Sequence, residues 1–268
     1  MIYGLDPLYS DGVGLAEVLI TIGKVLVTFV ILLVSVLFMV WFERKVIADM
    51  QNRIGPNRAG PFGLLQTLAD GLKLIVKEDL VPERSRRFVF TLAPYLAVIP
   101  AFLVFAIVPL AGTFTDGDDG VVTIAGHETF AQLADPPVGV LWVLAVSSIG
   151  VYGVMLAGWA SGSKYPLLGS VRASAQMVSY EAAMGLSIAT LIMTTGSLST
   201  RDMVQVQAGE GFAGFVPEWN VVLTGVVPFA IFFVAALAET NRPPFDLVEA
   251  EQELVGGFHT EYSSIRFG

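Results

Sequence analysis

The sequence predicts an all-α fold, a polytopic transmembrane helix bundle with five spans and one interfacial amphipathic helix. Three observations predict it. The chain is 54% hydrophobic and only 15% charged, with mean hydropathy +0.69; soluble domains carry about 25% charged residues. Five apolar runs approach the ~20 residues needed to cross hydrocarbon. Between them, the basic residues gather on alternate loops. The cysteine count of zero excludes a disulfide framework, a thiolate metal site and a cysteine-held iron–sulfur cluster. A net charge of -9 argues against nucleic acid as a partner.

Residues 1–17 are acidic and free of Lys and Arg, so they lack the basic region of a signal peptide. The first span is read over 18–42, with Lys24 near its outer end and expected to snorkel. The others are read over 88–110, 138–159, 173–195 and 221–238. The second holds Pro94, Pro100 and Pro109, and the last holds Pro228, so bends are expected in both. Residues 62–80 are too polar to cross. There Leu65, Leu68, Leu72, Ile75 and Val76 recur at helical spacing opposite Gln66, Asp70, Lys73 and Lys77, the pattern of a helix lying in the interface plane. Ahead of it, Arg53–Gly63 reads as a Gly/Pro-punctuated turn. It lacks the Lys-Ser/Thr ending of a phosphate loop.

Charge sets the orientation. Loop 43–87 holds nine Lys/Arg, whereas residues 1–17 and 111–137 hold none and 196–220 hold Arg201 alone. Positive loops stay inside, which puts the N-terminus outside. The inner loop 239–268 then shares a face with the basic loop. It contains Glu239, Asp246, Glu249, Glu251, Glu253 and Glu261, so the two loops are expected to pair with each other, with a partner subunit, or with both. Arg242-Pro243-Pro244-Phe245 reads as a shaped loop. Crowded carboxylates at low dielectric have raised pKa values and exchange protons near neutral pH.

Glu181 interrupts the fourth run, roughly 12 Å below the expected inner surface at ~1.5 Å per residue. An unpaired carboxylate there costs on the order of 3 kcal/mol, so it should face the bundle interior. Tyr180, Ser179 and Gln176 are the nearest candidates to hydrogen-bond it. If their helices pack together, Glu43, Glu181 and Glu239 form a line of acids leading into the membrane. His127 and His259 fall in loops assigned to opposite sides, so a haem ligated by both is excluded and any redox chemistry comes from a partner.

Three long stretches, Trp41–Asp79, Leu156–Glu181 and Ala238–Ser264, closely resemble the H-type, quinone-channel membrane subunit of respiratory complex I, the proton-pumping NADH:quinone oxidoreductase. The motifs fall mostly in loops, where shared apolar composition does not explain a match, and the likeness runs from about Val18 onward. Thr67 and Val248 stand where that family more often has proline. The resemblance implies a non-redox subunit forming part of a quinone tunnel and of an acidic proton path. It implies Glu43, Arg44, Asp70, Lys73 and Arg242 near the tunnel. On the path it implies Glu181, Glu239, Asp246, Glu249, Glu251, Glu253 and Glu261. It further implies quinone as substrate, FMN and iron–sulfur clusters in partner subunits, and no cofactor or metal on this chain. The expected partners are the other hydrophilic-arm and membrane-arm subunits. A bacterial plasma membrane is expected, with the mitochondrial inner membrane as alternative. Family members continue for about three more spans, so a C-terminally truncated chain is expected. Two other readings stay open: the membrane subunit of a proton-pumping hydrogenase, and a free-standing proton/cation antiporter.

Overall fold

A computed structural model describes residues 6–10, 12–114, 119–209, 218–242, 244–246 and 255–267. Helices dominate: α1 (Leu15–Met50), α2 (Gln66–Val76), α3 (Arg87–Phe105), α4 (Gly139–Ala160), α5 (Lys164–Thr195), α6 (Thr200–Gln207), α7 (Asn220–Leu223), α8 (Val226–Glu239) and α9 (Ser264–Phe267). Among the described residues, α1, α3, α4 and α5 are long and apolar enough to cross a membrane, and α8 is a shorter apolar helix. The fifth apolar run is broken at Gly225, whose φ of 87° no β-carbon-bearing residue adopts easily. Between α3 and α4 lies one hairpin, β1 (Val121–Ile124) against β2 (His127–Phe130), antiparallel with Val121 opposite Phe130. Ala125 and Gly126 turn it with positive φ at both positions, the geometry that matches strand twist.

The bundle is a layer of neighbours in chain order: α3 on α4, α4 on α5, α5 on α8. Small residues allow the close approach, as expected where apolar lipid removes the usual drive for side-chain burial. A β-carbon on Gly153 would come within 3.0 Å of the α3 backbone at Ala93 and Ala97. Helix α1 leans on this layer lightly. Phe29 stacks on Phe102 at 5.3 Å, and most of its apolar surface is exposed. Its N-terminal end is pinned by charge. Lys24 Nζ donates to Asp6 Oδ2 at 2.6 Å and to Thr129 on β2 at 2.9 Å. Lys24 therefore does not snorkel into solvent; a partly buried carboxylate reaches it first.

The segment after α8 folds back into the opposite end of the bundle. Tyr262 is buried and stacked on Phe90 of α3 with ring centres 4.1 Å apart, in a cluster with Ala93, Ala157 and Ala160. Its hydroxyl donates to the Phe90 carbonyl at 3.0 Å. That carbonyl is free because its helical partner four residues on is Pro94, which has no N–H. Phe258 packs on a second cluster of Val151, Val154, Ala173 and Met177. Gly169 of α5 lets the chain in: a β-carbon there would sit 2.8 Å from the Gly257 backbone.

Candidate functional site: a charged face and a buried acid

Helix α1 runs eight residues past the expected boundary at Phe42 and carries Glu43 and Arg44 onto the charged face. Arg44 Nη1 donates to Asp70 Oδ2 at 2.6 Å, tying α2 to α1, while Gln66 Nε2 reaches Asp70 Oδ1 at 3.0 Å. The guanidinium hydrogen bond holds the Asp70 carboxyl below its ordinary value, with Lys73 adding a weaker pull. Two further bonds seat the amphipathic helix, from Trp41 Nε1 to the Phe62 carbonyl and from Ser264 Oγ to the Leu74 carbonyl. Leu68, Leu72, Ile75 and Val76 remain exposed, the apolar stripe of an interfacial helix.

The two oppositely charged loops do meet. Arg242 Nη1 lies 2.7 Å from Glu43 Oε2, and Arg266 Nη2 lies 3.2 Å from Asp79 Oδ2. In both pairs the cation comes from the acidic stretch and the carboxylate from the basic loop. Arg242 starts a turn, with the Phe245 N–H donating to its carbonyl at 2.8 Å. Buried Gln176 on α5 fixes that turn, donating to the carbonyls of Ala238 at 3.2 Å and Phe245 at 2.8 Å.

Glu181 faces inward. Its carboxylate accepts from Ser147 at 3.3 Å and from Ser148, both on α4. The candidates nearest in sequence do not serve it: Ser179 caps back onto the Ala175 carbonyl, Tyr180 meets the Phe245 ring edge at 5.0 Å, and Gln176 holds the turn. Helical twist turns those positions toward α8 or outward, while residue 181 meets α4. A serine pair within an apolar run is the trace that this partner leaves in the sequence. Glu239, the last residue of α8, interacts electrostatically with Glu181, and its Oε2 is buried without a hydrogen-bond partner among the described residues.

Asp246 is half-buried and interacts with His259, whose imidazole sits edge-on between Phe258 and Phe267. Burial pulls the His259 pKa below its ordinary value, and the Asp246 charge partly opposes this. Glu261 is half-buried beside Tyr262; among the described residues no hydrogen bond or ion pair joins it to the other acids. Glu249, Glu251 and Glu253 lie outside the described residues. The structure thus brings together Arg44 with Asp70, Glu43 with Arg242, and Glu181 with Glu239.

Residues 23–268 match the family model described as NADH dehydrogenase. A second H-type subunit of the NADH-quinone oxidoreductase of Koribacter versatilis is 51% identical over 259 residues, covering 93% of this chain and 70% of that protein. The chain belongs to this family. The NADH-quinone oxidoreductase H-type subunit of Frankia alni is 51% identical over 91% of the chain and 50% of its own length. Its Streptomyces avermitilis counterpart is 48% identical over 92% of the chain and 52% of its length. The chain thus spans about half the length of several of these relatives, and the arrangement of α1 to α8 describes that portion of a multi-pass membrane subunit.

Proposed function

We propose that the chain works as the membrane-arm subunit of a proton-pumping NADH:quinone oxidoreductase, contributing to a quinone tunnel and to the acidic path that couples quinone reduction to proton movement. One observation supports it most: Glu181, turned onto α4, and Glu239 behind it form an inward line of acids at the end of the bundle where Glu43 pairs with Arg242. Reducing a quinone to the quinol takes up two electrons and two protons. Charge changes beside interacting carboxylates shift their coupled titrations, so the acids release or bind protons in step with the reaction. In this reading Arg44–Asp70 and Lys73 hold α2 against α1 as one tunnel wall, and Arg242 holds the other side to Glu43. Asp246, Glu249, Glu251, Glu253 and Glu261 supply further protonatable groups of the acidic path. The chain supplies no redox centre; electrons come from the flavin and iron–sulfur clusters of partner subunits. The inner face belongs to the cytoplasmic side of a bacterial plasma membrane, with the N-terminus outside.

An affinity-tagged chain purified from its native membrane tests the reading. Co-purification with flavin and iron–sulfur absorbance and quinone reductase activity is the expected result. A lone chain that exchanges protons for cations in vesicles would replace it with the antiporter reading.

A further inference from the structure

At the end of the bundle opposite the charged face, a cavity of about 520 Å³ opens between α5, the end of α6, α7 and the start of α8. Its walls are mostly apolar, including Ile188, Leu191, Phe229 and Phe232, and five polar side chains line it. Four of these are satisfied within the chain. Ser187 donates to the Met184 carbonyl, Thr190 to the Ser187 carbonyl, Thr224 to the Asn220 carbonyl and Gln207 to the Met203 carbonyl. Gln207 Oε1 also accepts the Asn220 N–H at 3.1 Å. The fifth, Asn220, is 5% exposed, yet among the described residues neither its Nδ2 nor its Oδ1 has a hydrogen-bond partner. A buried amide left open at both ends is costly and rare. It lines a cavity whose α7–α8 wall is broken at Gly225, and broken helices at membrane depth commonly border binding sites.

We infer that this cavity binds a membrane glycerolipid, one acyl chain lying along Leu191, Phe229 and Phe232 and the glycerol end on Asn220. The ligand chemistry follows from the amide. Asn220 Nδ2 needs an acceptor, which an ester carbonyl provides, and Oδ1 needs a donor, which a headgroup hydroxyl provides. Trp219 beside it and Trp142 at the same end are the residue type that marks the membrane–water boundary, the depth at which glycerol esters lie. A quinol carries the same pairing of polar head and apolar tail, so the test separates the two sources.

The test uses the protein in its native assembly, reconstituted with a glycerophospholipid bearing a photoreactive acyl chain, and in a parallel arm with a photoreactive quinone. The lipid should label peptides covering 187–191 and 219–232 above the level on exposed α1. Asn220→Leu, which keeps the volume and removes the amide, should lower labelling at subsaturating lipid by about fivefold, equivalent to one net hydrogen bond. Leu191→Trp, which fills the cavity and leaves Asn220 intact, should abolish it and covers the case in which Asn220→Leu fails to assemble. Labelling of α1 should not change in either variant. Labelling at the cavity no higher than on α1, or insensitive to both substitutions, would mean surface lipid or water only and would overturn the assignment. So would capture of the quinone in place of the lipid.

Discussion

Tyr262→Phe isolates the contact that docks the segment after α8. The substitution keeps the ring stacked on Phe90 at 4.1 Å and removes only the hydroxyl, which donates to the Phe90 carbonyl at 3.0 Å. Burial pushes the phenol pKa well above its ordinary value, so the donor is present throughout the physiological range. Because Pro94 offers no N–H, the Phe90 carbonyl is left buried without its partner, and an orphaned buried acceptor costs about 1–3 kcal/mol. Pro94→Ala changes that balance, since an alanine N–H at 94 can bond the Phe90 carbonyl along the helix. Tyr262→Phe should therefore be destabilising in the native background and close to neutral beside Pro94→Ala, a coupling of about 1 kcal/mol or more. Thermal denaturation of the detergent-solubilised protein, run as a double-mutant cycle, measures it. Equal losses in both backgrounds would refute the reasoning.

Further tests address the rest of the charged face. Gly169→Val should drive a side chain into the Gly257 backbone, costing about 1–3 kcal/mol by overpacking and raising hydrogen exchange over 255–262. Asp70→Asn should cost less than about 1 kcal/mol, because both partners of the Arg44 pair are well exposed and screened by water. The Asp70 contribution has a fixed sign: with its folded pKa lowered, it is present above the ordinary carboxylate value of 3.8 and lost as pH falls through the folded value. For His259 the folded pKa is also lowered, but for a base. Above its ordinary value of 6.5 both states are neutral; below it the released imidazole binds a proton that the docked one resists. Corrected for the intrinsic base-catalysed rate, amide protection over 255–262 should therefore fall between pH ~7.5 and pH ~5.5, and His259→Phe should remove that dependence.

The long apolar runs are legible because composition alone separates them from loops. Their ends are less so. The reading over 173–195 stops where Lys164, Arg172 and a glycine-rich loop raise polarity, yet α5 begins at Lys164 because Gly169 and Ser170 bury against neighbouring backbone. The reading over 18–42 likewise stops at the Glu43-Arg44-Lys45 charge cluster, although Glu43 and Arg44 continue α1 by finding partners across the face. The hairpin leaves only a short trace, Val-Val-Thr-Ile and His-Glu-Thr-Phe around Ala125-Gly126. Of the site, residue types are legible and partners are not. Loop-to-loop attraction follows from net charge, but Arg242 and Arg266 choose single carboxylates by geometry. Glu181 is expected to face inward, whereas Ser147 and Ser148 belong to another helix, which no local spacing reveals.

The most direct measurement of the central claim is the number of protons translocated per quinone reduced by the assembled enzyme carrying Glu181→Gln in sealed vesicles. A glutamine keeps the shape and the hydrogen bonding toward Ser147 but neither binds nor releases a proton. This ratio should fall while the enzyme still assembles and binds quinone. An unchanged ratio at the native rate of quinone reduction would contradict the claim.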